Sequence, residues 1–307
     1  MSLRVGNGIR DNGTEHLSHA LRCNSSLESL SLVWSEITDA GLVALSEALI
    51  HNHTLTALDL SYNQFGDLGA HSLARALESS SSLRRISLKE NKVRAKGACA
   101  LANSLLESTS LTSLDLHGNA IGNRGAKALA VALRACEEPQ LRSLDISYNH
   151  VGKEGIQALC GALSCHRCPL QVLSLGSNNL GDTSACMLAE MIRTNTSLLK
   201  LDLRRIHITA EGARMLVEAL SHNRTLKDLV LKSNRLQLNA PGPLLPSSHI
   251  VQSNLACRIH MNDAATTGHK EGFSGFRWSV EPMVDQLLTQ GGWAHQDKKR
   301  WRRQHLR

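Results

Sequence analysis

Aromatic side chains are scarce in this sequence. Its 307 residues include only 3 Phe, 4 Trp and 2 Tyr, against 51 Leu. With so few large rings, the core must be aliphatic and built from many similar small contacts. That composition points to a chain that repeats one short unit.

Long apolar runs are missing as well. No stretch approaches the roughly 18 uninterrupted apolar residues that a membrane-spanning helix needs, and residues 1–10 lack the apolar segment of a secretory signal. We therefore expect a cytoplasmic protein without a membrane span. In such a reducing compartment the eight cysteines are expected to be buried thiols rather than disulfides.

The motifs of several enzyme classes are also lacking. The sequence has no phosphate-binding loop, no dinucleotide fingerprint and no Gly-x-Ser-x-Gly elbow. Cys165 and Cys168 with His166 resemble half of a zinc site, but the second half is missing. We expect no enzyme activity, no cofactor and no metal. The net charge of +7 permits acidic partners without indicating nucleic acid.

What the chain does have is a repeat of Leu-x-x-Leu-x-Leu at steps of 28 to 30 residues. Within one unit, Leu58 and Leu60 alternate with polar residues, as in a half-buried strand. Leu73 and Leu77 then follow at helical spacing. Units begin at eight leucines: Leu27, Leu55, Leu83, Leu111, Leu141, Leu170, Leu198 and Leu226.

A strand and a helix cannot bury their apolar sides alone, but stacked copies can. The predicted fold is therefore an α/β solenoid, a horseshoe with parallel strands on the concave face and helices on the convex face. It covers residues 1–236, with a partial first unit in which Ser2 and Arg4 stand at the strand leucine positions. Cys99 and Cys186 share one helical position and are expected to be buried.

Three polar positions recur with the period. Asn63 and its equivalents follow the strand, where a buried amide can satisfy backbone groups of the turn between units. Gly69 and its equivalents lie near the helix start, where a missing side chain allows close packing. Asn24, Asn52 and Asn195 follow the helix, where we expect the left-handed conformation that ends many helices.

This pattern, with Asn after the strand leucines and a full helix in each unit, resembles the leucine-rich repeat of the ribonuclease-inhibitor subtype. The subtype also occurs in the arms of NOD-like receptors and in Ran GTPase-activating proteins. The resemblance implies binding rather than chemistry. It favours a noncatalytic scaffold or adaptor that binds a protein on the concave face.

Two alternatives come with the same resemblance: a GTPase-activating protein of the Ran-activator type, and an innate-immune regulatory protein related to NOD-like receptors. The Ran activators usually carry an acidic segment after their repeats, whereas the tail is basic here. A sensor arm would normally share its chain with a nucleotide-binding domain, which this sequence lacks. We expect a protein partner and no small-molecule substrate.

The strand residues that alternate with the leucines are free of core duties and form the predicted binding surface. Aromatic and Arg side chains bury much area at low entropy cost, and carboxylates add charge complementarity. The predicted partner-binding residues are Trp34, Tyr62, Tyr148, Asp59, Asp115, Asp145, Lys89, Arg204 and Arg205.

Residues 237–307 differ from the repeats. The prolines Pro241, Pro243 and Pro246 interrupt the pattern, and we expect a basic, partly disordered tail with one short helix over 280–290. The basic end Lys298–Arg303 has the composition of a nuclear-localisation segment, so a nuclear location stays open. Nucleic-acid binding through this end is the less favoured use.

Overall fold

Strands and helices alternate from residue 2 to residue 230. The structure is a computed structural model, and it describes residues 1–5, 8–135, 140–236 and 257–260. The strands in these residues are β1 Ser2–Arg4, β2 Ser29–Ser31, β3 Ala57–Asp59, β4 Arg85–Ser87, β5 Ser113–Asp115, β6 Ser143–Asp145, β7 Val172–Ser174, β8 Lys200–Asp202, β9 Asp228–Val230 and β10 Arg258–His260. The helices are α1 Arg10–Cys23, α2 Asp39–His51, α3 Asp67–Ser79, α4 Ala95–Glu107, α5 Gly122–Ala135, α6 Lys153–Leu163, α7 Gly181–Thr194 and α8 Ala210–Ala219.

The strands form one open parallel sheet in sequence order from β1 to β10. Register is kept from unit to unit, so that Leu58 pairs with Leu30 on one side and with Ile86 on the other. Each helix returns the chain to the start of the next strand and packs against the helices of the adjacent units. The predicted solenoid, with strands on the concave face and helices on the convex face, is confirmed.

The leucines of the repeat form one continuous core between the sheet and the helices. Leu116 after β5 and Leu73 in α3 are 0 % exposed, and Leu58 in β3 is 2 % exposed. Burying a leucine side chain contributes about 1.5–3 kcal/mol, so many equal contacts replace the few large rings of other cores.

The prediction that the cysteines are buried thiols is wrong for several of those described. Cys160 and Cys168 are buried, but Cys23 and Cys186 are exposed and Cys99 is half-buried. Cys186 lies two residues after the buried Ser184 of α7. Two residues rotate a side chain by about 200° around a helix, so Cys186 faces away from the core.

The asparagines after the strands do bind the turns of adjacent units. Asn63 Oδ1 accepts hydrogen bonds from the backbone N–H groups of Ser35 and Ile37 in the preceding unit, both at 3.0 Å. Its Nδ2 donates to the carbonyl oxygens of Leu32 and Leu60. The predicted role of this position is confirmed.

The asparagines after the helices were predicted with the wrong conformation. Asn52 has φ −94° and ψ 123°, an extended rather than a left-handed backbone. The Asn52 side chain instead connects two units by hydrogen bonds. Its Oδ1 accepts from the N–H of Leu55, and its Nδ2 donates to the carbonyl oxygen of Leu21 in the preceding unit. Asn24 and Asn195 are also extended.

The alignment predicted for the first unit is one residue out of place at the strand. Leu3, not Ser2, pairs with Leu30 of β2, whereas the helix keeps the offset of 28 between Gly13 and Gly41. The segment from the strand to the helix is therefore one residue shorter in the first unit than in the second. The first unit does contain a strand, β1.

The tail contributes one element within the described residues. Strand β10 pairs with β9 in parallel, and the sequence pattern does not predict it. The predicted helix over 280–290 and the basic end Lys298–Arg303 lie outside the described residues. No described helix combines the length and the apolar character that crossing a membrane requires.

Candidate functional site

The concave face carries three half-buried carboxylates in one column, Asp59 on β3, Asp115 on β5 and Asp145 on β6, which we call the acidic column. Each accepts a hydrogen bond from the backbone N–H two residues later, at 2.8–3.0 Å. These bonds close the end of each strand and fix one oxygen of each carboxylate.

Serine hydroxyls connect the first two members of the acidic column. Ser61 Oγ donates to Asp59 Oδ1 at 2.5 Å and lies 2.8 Å from Ser87 Oγ on the next unit. Ser87 Oγ donates in turn to Asp115 Oδ2 at 3.3 Å. The column is therefore held in place by contacts that run from strand to strand.

Burial raises the pKa of Asp115, and the neighbouring Asp145 carboxylate raises it further. Removing a carboxylate from water disfavours its charged form, as does a like charge one strand away. The N–H of His117 lowers this pKa, an influence that is smaller than that of burial but larger than that of Asp145. Two carboxylates thus adjoin where strand β5 pairs with strand β6.

The predicted site residue Arg204 is already engaged within the chain. Its guanidinium pairs with Asp202 of β8, a carboxylate that is 5 % exposed. This bond to Asp202 raises the pKa of Arg204. Asp202 stands in line with the acidic column but is neutralised. Arg205 is exposed beside this pair.

The aromatic residues lie just beyond the strands, in the turn before the recurring Asn. We call Trp34, Tyr62 and Tyr148 the aromatic rim. The prediction that these are strand residues is wrong, because each strand has only three residues and the rim residues adopt φ of 56°, 58° and 55°. Gly118 occupies the same position of its unit, with φ 67°.

Two members of the aromatic rim touch each other. The rings of Trp34 and Tyr62 stack with centroids 4.5 Å apart at 11°. The Lys89 ammonium lies 5.4 Å from the centre of the Tyr62 ring, and the Tyr62 side chain raises the pKa of Lys89. These three predicted residues form one cluster.

A groove of about 970 Å³ opens beside this cluster. Arg10 and Glu36 line it and form an ion pair at 2.9 Å. Glu90 lines the groove as well. Sequence reasoning missed these residues, although Glu36 stands two residues after Trp34 and Glu90 occupies the rim position of its own unit.

Tyr148 forms a second cluster farther along the rim. Its ring lies 6.3 Å from that of His117 and 6.5 Å from that of His150. His117 Nε2 is 3.5 Å from Glu90 Oε1, which links this cluster back toward the first. The two histidines were not predicted. The sequence could have indicated them, because His117 follows Asp115 by two residues and His150 follows Tyr148 by two residues.

Within the described residues, no group of three or more His, Cys, Asp and Glu side chains is arranged to hold a metal ion. Cys165 and Cys168 are joined by a backbone hydrogen bond in the loop after α6. Burial raises the pKa of the Cys168 thiol, which disfavours the thiolate that a metal would need.

Comparison with known proteins gives a family for the repeats. The family model described as "Leucine Rich repeat" matches residues 23–46, 51–74, 107–130, 139–160, 166–189 and 194–217. These units are leucine-rich repeats. The matches cover strand and helix of the same unit in each case, in agreement with the observed alternation.

Two solved structures are among the similar ones. Leiomodin-1 actin-binding site 2 is 20% identical, with a TM-score of 0.41 over 48% of this chain and 86% of that chain. The tropomodulin C-terminal domain of Caenorhabditis elegans is 20% identical, with a TM-score of 0.38 over 49% of this chain and 90% of that chain. No curated protein matches the sequence.

Proposed function

We propose that this leucine-rich repeat protein is a noncatalytic scaffold that binds a protein partner on its concave face, with the aromatic rim as anchor. One observation carries the proposal. Trp34 and Tyr148 are 62 % and 57 % exposed while holding a left-handed backbone. Exposed rings contribute little to the stability of the fold, whereas contact with a partner would bury them.

The left-handed backbone belongs to this position of the repeat rather than to the rings, because Glu90 and Arg205 adopt it in their own units, with φ of 53° and 52°. The repeat itself does not require a ring, because Gly118 fills the same position in its own unit. Tyr and Trp are the side chains that dominate protein interfaces, since they bury large areas with few rotatable bonds.

The chemistry of the face supports recognition rather than catalysis. Each carboxylate of the acidic column bonds to a backbone N–H, and the column lies on an open sheet. The finer assignments belong to the same proposal: repeats of the ribonuclease-inhibitor subtype, supported by the full helix that follows each of the strands β1 to β8, and a cytoplasmic or nuclear location.

Partner capture tests this function. We would compare wild type with the triple variant Trp34→Ala, Tyr62→Ala, Tyr148→Ala by crosslinking in cells and mass spectrometry. A matched control exists on the convex face, where Leu68, Leu106 and Val131 are 62 %, 39 % and 62 % exposed. Their triple alanine variant removes exposed apolar area without touching the rim.

The proposal expects partners that wild type and the convex control both capture and that the rim variant loses. If the rim variant retains the same partners while the convex control loses them, the helices and not the strands carry the interaction. The Ran-activator alternative is checked by adding the protein to a panel of small GTPases, where large stimulation of GTP hydrolysis would contradict a noncatalytic scaffold.

A further inference from the structure

The acidic column forms no close ion pair within the described part of the chain, although Lys89 and His117 near Asp115 and Arg204 near Asp145 interact with it at longer range. Among the described residues, no Lys, Arg or His lies within 4.0 Å of the carboxylates of Asp59, Asp115 or Asp145. The contrast with Asp202, which Arg204 neutralises, shows that this solenoid can supply an internal cation to the same column. The whole chain carries +7, so the negative column runs against its overall charge.

The aromatic rim runs beside this column. Tyr62 and Tyr148 each follow a carboxylate of the column by three residues. The residues between include Ser61 and Ser147, which are only 6 % and 7 % exposed and are small. A strip of strand face is thus bordered on one side by the acidic column and on the other by the aromatic rim, in which Glu90 and Gly118 stand between Tyr62 and Tyr148.

We propose that this strip takes a basic, amphipathic α-helix of a protein partner, lying across strands β2 to β6. The inference rests on the proposed function and adds the class of partner. The basic side chains of the partner helix pair with the acidic column, and its apolar side packs on the aromatic rim. Interfaces of this kind combine charge complementarity with a few aromatic anchors.

The spacing of the carboxylates favours a helix. Neighbouring strands lie about 4.8 Å apart, so Asp59 on β3, Asp115 on β5 and Asp145 on β6 are separated by about 10 Å and about 5 Å. Helix residues i, i+7 and i+11 are separated by about 10.5 Å and 6 Å along the axis. They also project within about 20° of one line.

Other peptide conformations match less well. In an extended strand, side chains on one side recur about every 6.6–6.8 Å, which equals neither separation. In a polyproline II helix, side chains on one side recur about every 9.3 Å, which fits the longer separation but not the shorter one. From Trp34 after β2 to Tyr148 after β6 there are four strand intervals, the length of about 13 helical residues.

The test uses synthetic 18-residue alanine-rich peptides with a fluorescent label, titrated with the full chain. The striped peptide has basic residues at i, i+7 and i+11. A scrambled peptide of the same composition distributes them around the helix, and a third peptide has a central proline that breaks the helix.

The protein variant is Asp59→Asn, Asp115→Asn, Asp145→Asn, which removes the charge but keeps an oxygen for each strand-end hydrogen bond. The matched control is Asp39→Asn, Asp67→Asn, Asp182→Asn. It makes the same change of net charge at the helix starts, away from the concave face.

We expect the striped peptide to bind wild type and the control alike, and the column variant about tenfold more weakly. We also expect the scrambled and proline peptides to bind about tenfold more weakly than the striped peptide. Equal binding of the proline peptide would show an extended occupant and overturn the inference, as would no binding of the striped peptide or equal binding by the column variant.

The proposed function fails separately from this inference. If crosslinked partners depend on the aromatic rim but are retained by the column variant, the scaffold stands and the basic helix does not. If neither set of variants changes the captured partners, both are wrong.

Discussion

A left-handed backbone at an aromatic residue reverses the usual ranking of alanine and glycine. Tyr148 has φ 55°, and its ring contacts His117 and His150 without being buried. Alanine would keep the steric conflict of its Cβ, whereas glycine has no Cβ and adopts positive φ freely. The strain at the rim can therefore be measured by comparing two truncations of one side chain.

We expect Tyr148→Gly to be more stable than Tyr148→Ala by about 1 kcal/mol. The gain in unfolded-state entropy that glycine brings reduces this difference but does not cancel it. Urea unfolding followed by circular dichroism gives both values. The reference pair is Arg75→Gly and Arg75→Ala at an exposed residue inside α3, where alanine should be the more stable. If alanine were more stable at both positions, the rim would not be strained.

The amide side chains show which residue roles the sequence predicts. The buried role of Asn63 was predictable, because an amide that recurs after most strands must serve backbone groups of the adjacent turn. The conformation of Asn52 was not, since Asn is common both in left-handed residues and as a side-chain bridge. The choice between a left-handed Asn and a bridging Asn depends on where the neighbouring unit lies, and the sequence of a single unit does not specify that position.

At the scale of elements, a second ladder joins the starts of successive helices. Asp39 in the first turn of α2 accepts hydrogen bonds from the N–H groups of Gly66 and Gly69 of the next unit, at 2.8 and 2.7 Å. A Cβ on Gly69 would lie only 2.9 Å from this carboxylate oxygen. The sequence predicts close packing at this glycine, but it does not predict that the Asp39 carboxylate is the group that packs there.

We expect Asp39→Ala to lower the free energy of unfolding by about 1–2 kcal/mol, because two N–H groups at the start of α3 lose their acceptor. Asp39→Asn should restore most of it. The chain already contains that solution, since Asn123 Oδ1 accepts from Gly152 and Gly155 at the equivalent place. Chemical denaturation of both variants measures the effect, and equal losses would mean that charge rather than hydrogen bonding holds the helix start.

At the scale of the molecule, the repeat period predicts the architecture of the solenoid but not how the side chains of the concave face contact one another. Eight leucines in register require a stacked core, so sheet order and layer order followed from the sequence. The stacking of Trp34 on Tyr62 did not, because their contact depends on a left-handed turn in two units at once. Strand β10 could not be predicted, because residues 258–260 lack the leucine pattern.

Contacts between helices link consecutive units, so stability should be a sum of units and of the interfaces between neighbours. Leu116 follows β5 in the middle of the solenoid and is 0 % exposed. Leu116→Ala should cost about 2–5 kcal/mol through the cavity that it leaves. In a nearest-neighbour solenoid this loss should weaken the central units more than the outer ones.

Hydrogen exchange followed by mass spectrometry resolves this distribution. In Leu116→Ala we expect amide protection to fall most in α4 and α5, which belong to the units around the cavity, and least in α2 and α8. The control is Asn103→Ala at an exposed position of α4, where protection should stay within the wild-type range. A uniform fall across all helices would mean that the solenoid unfolds as one cooperative unit, and the concave binding surface would then open and close as a whole rather than unit by unit.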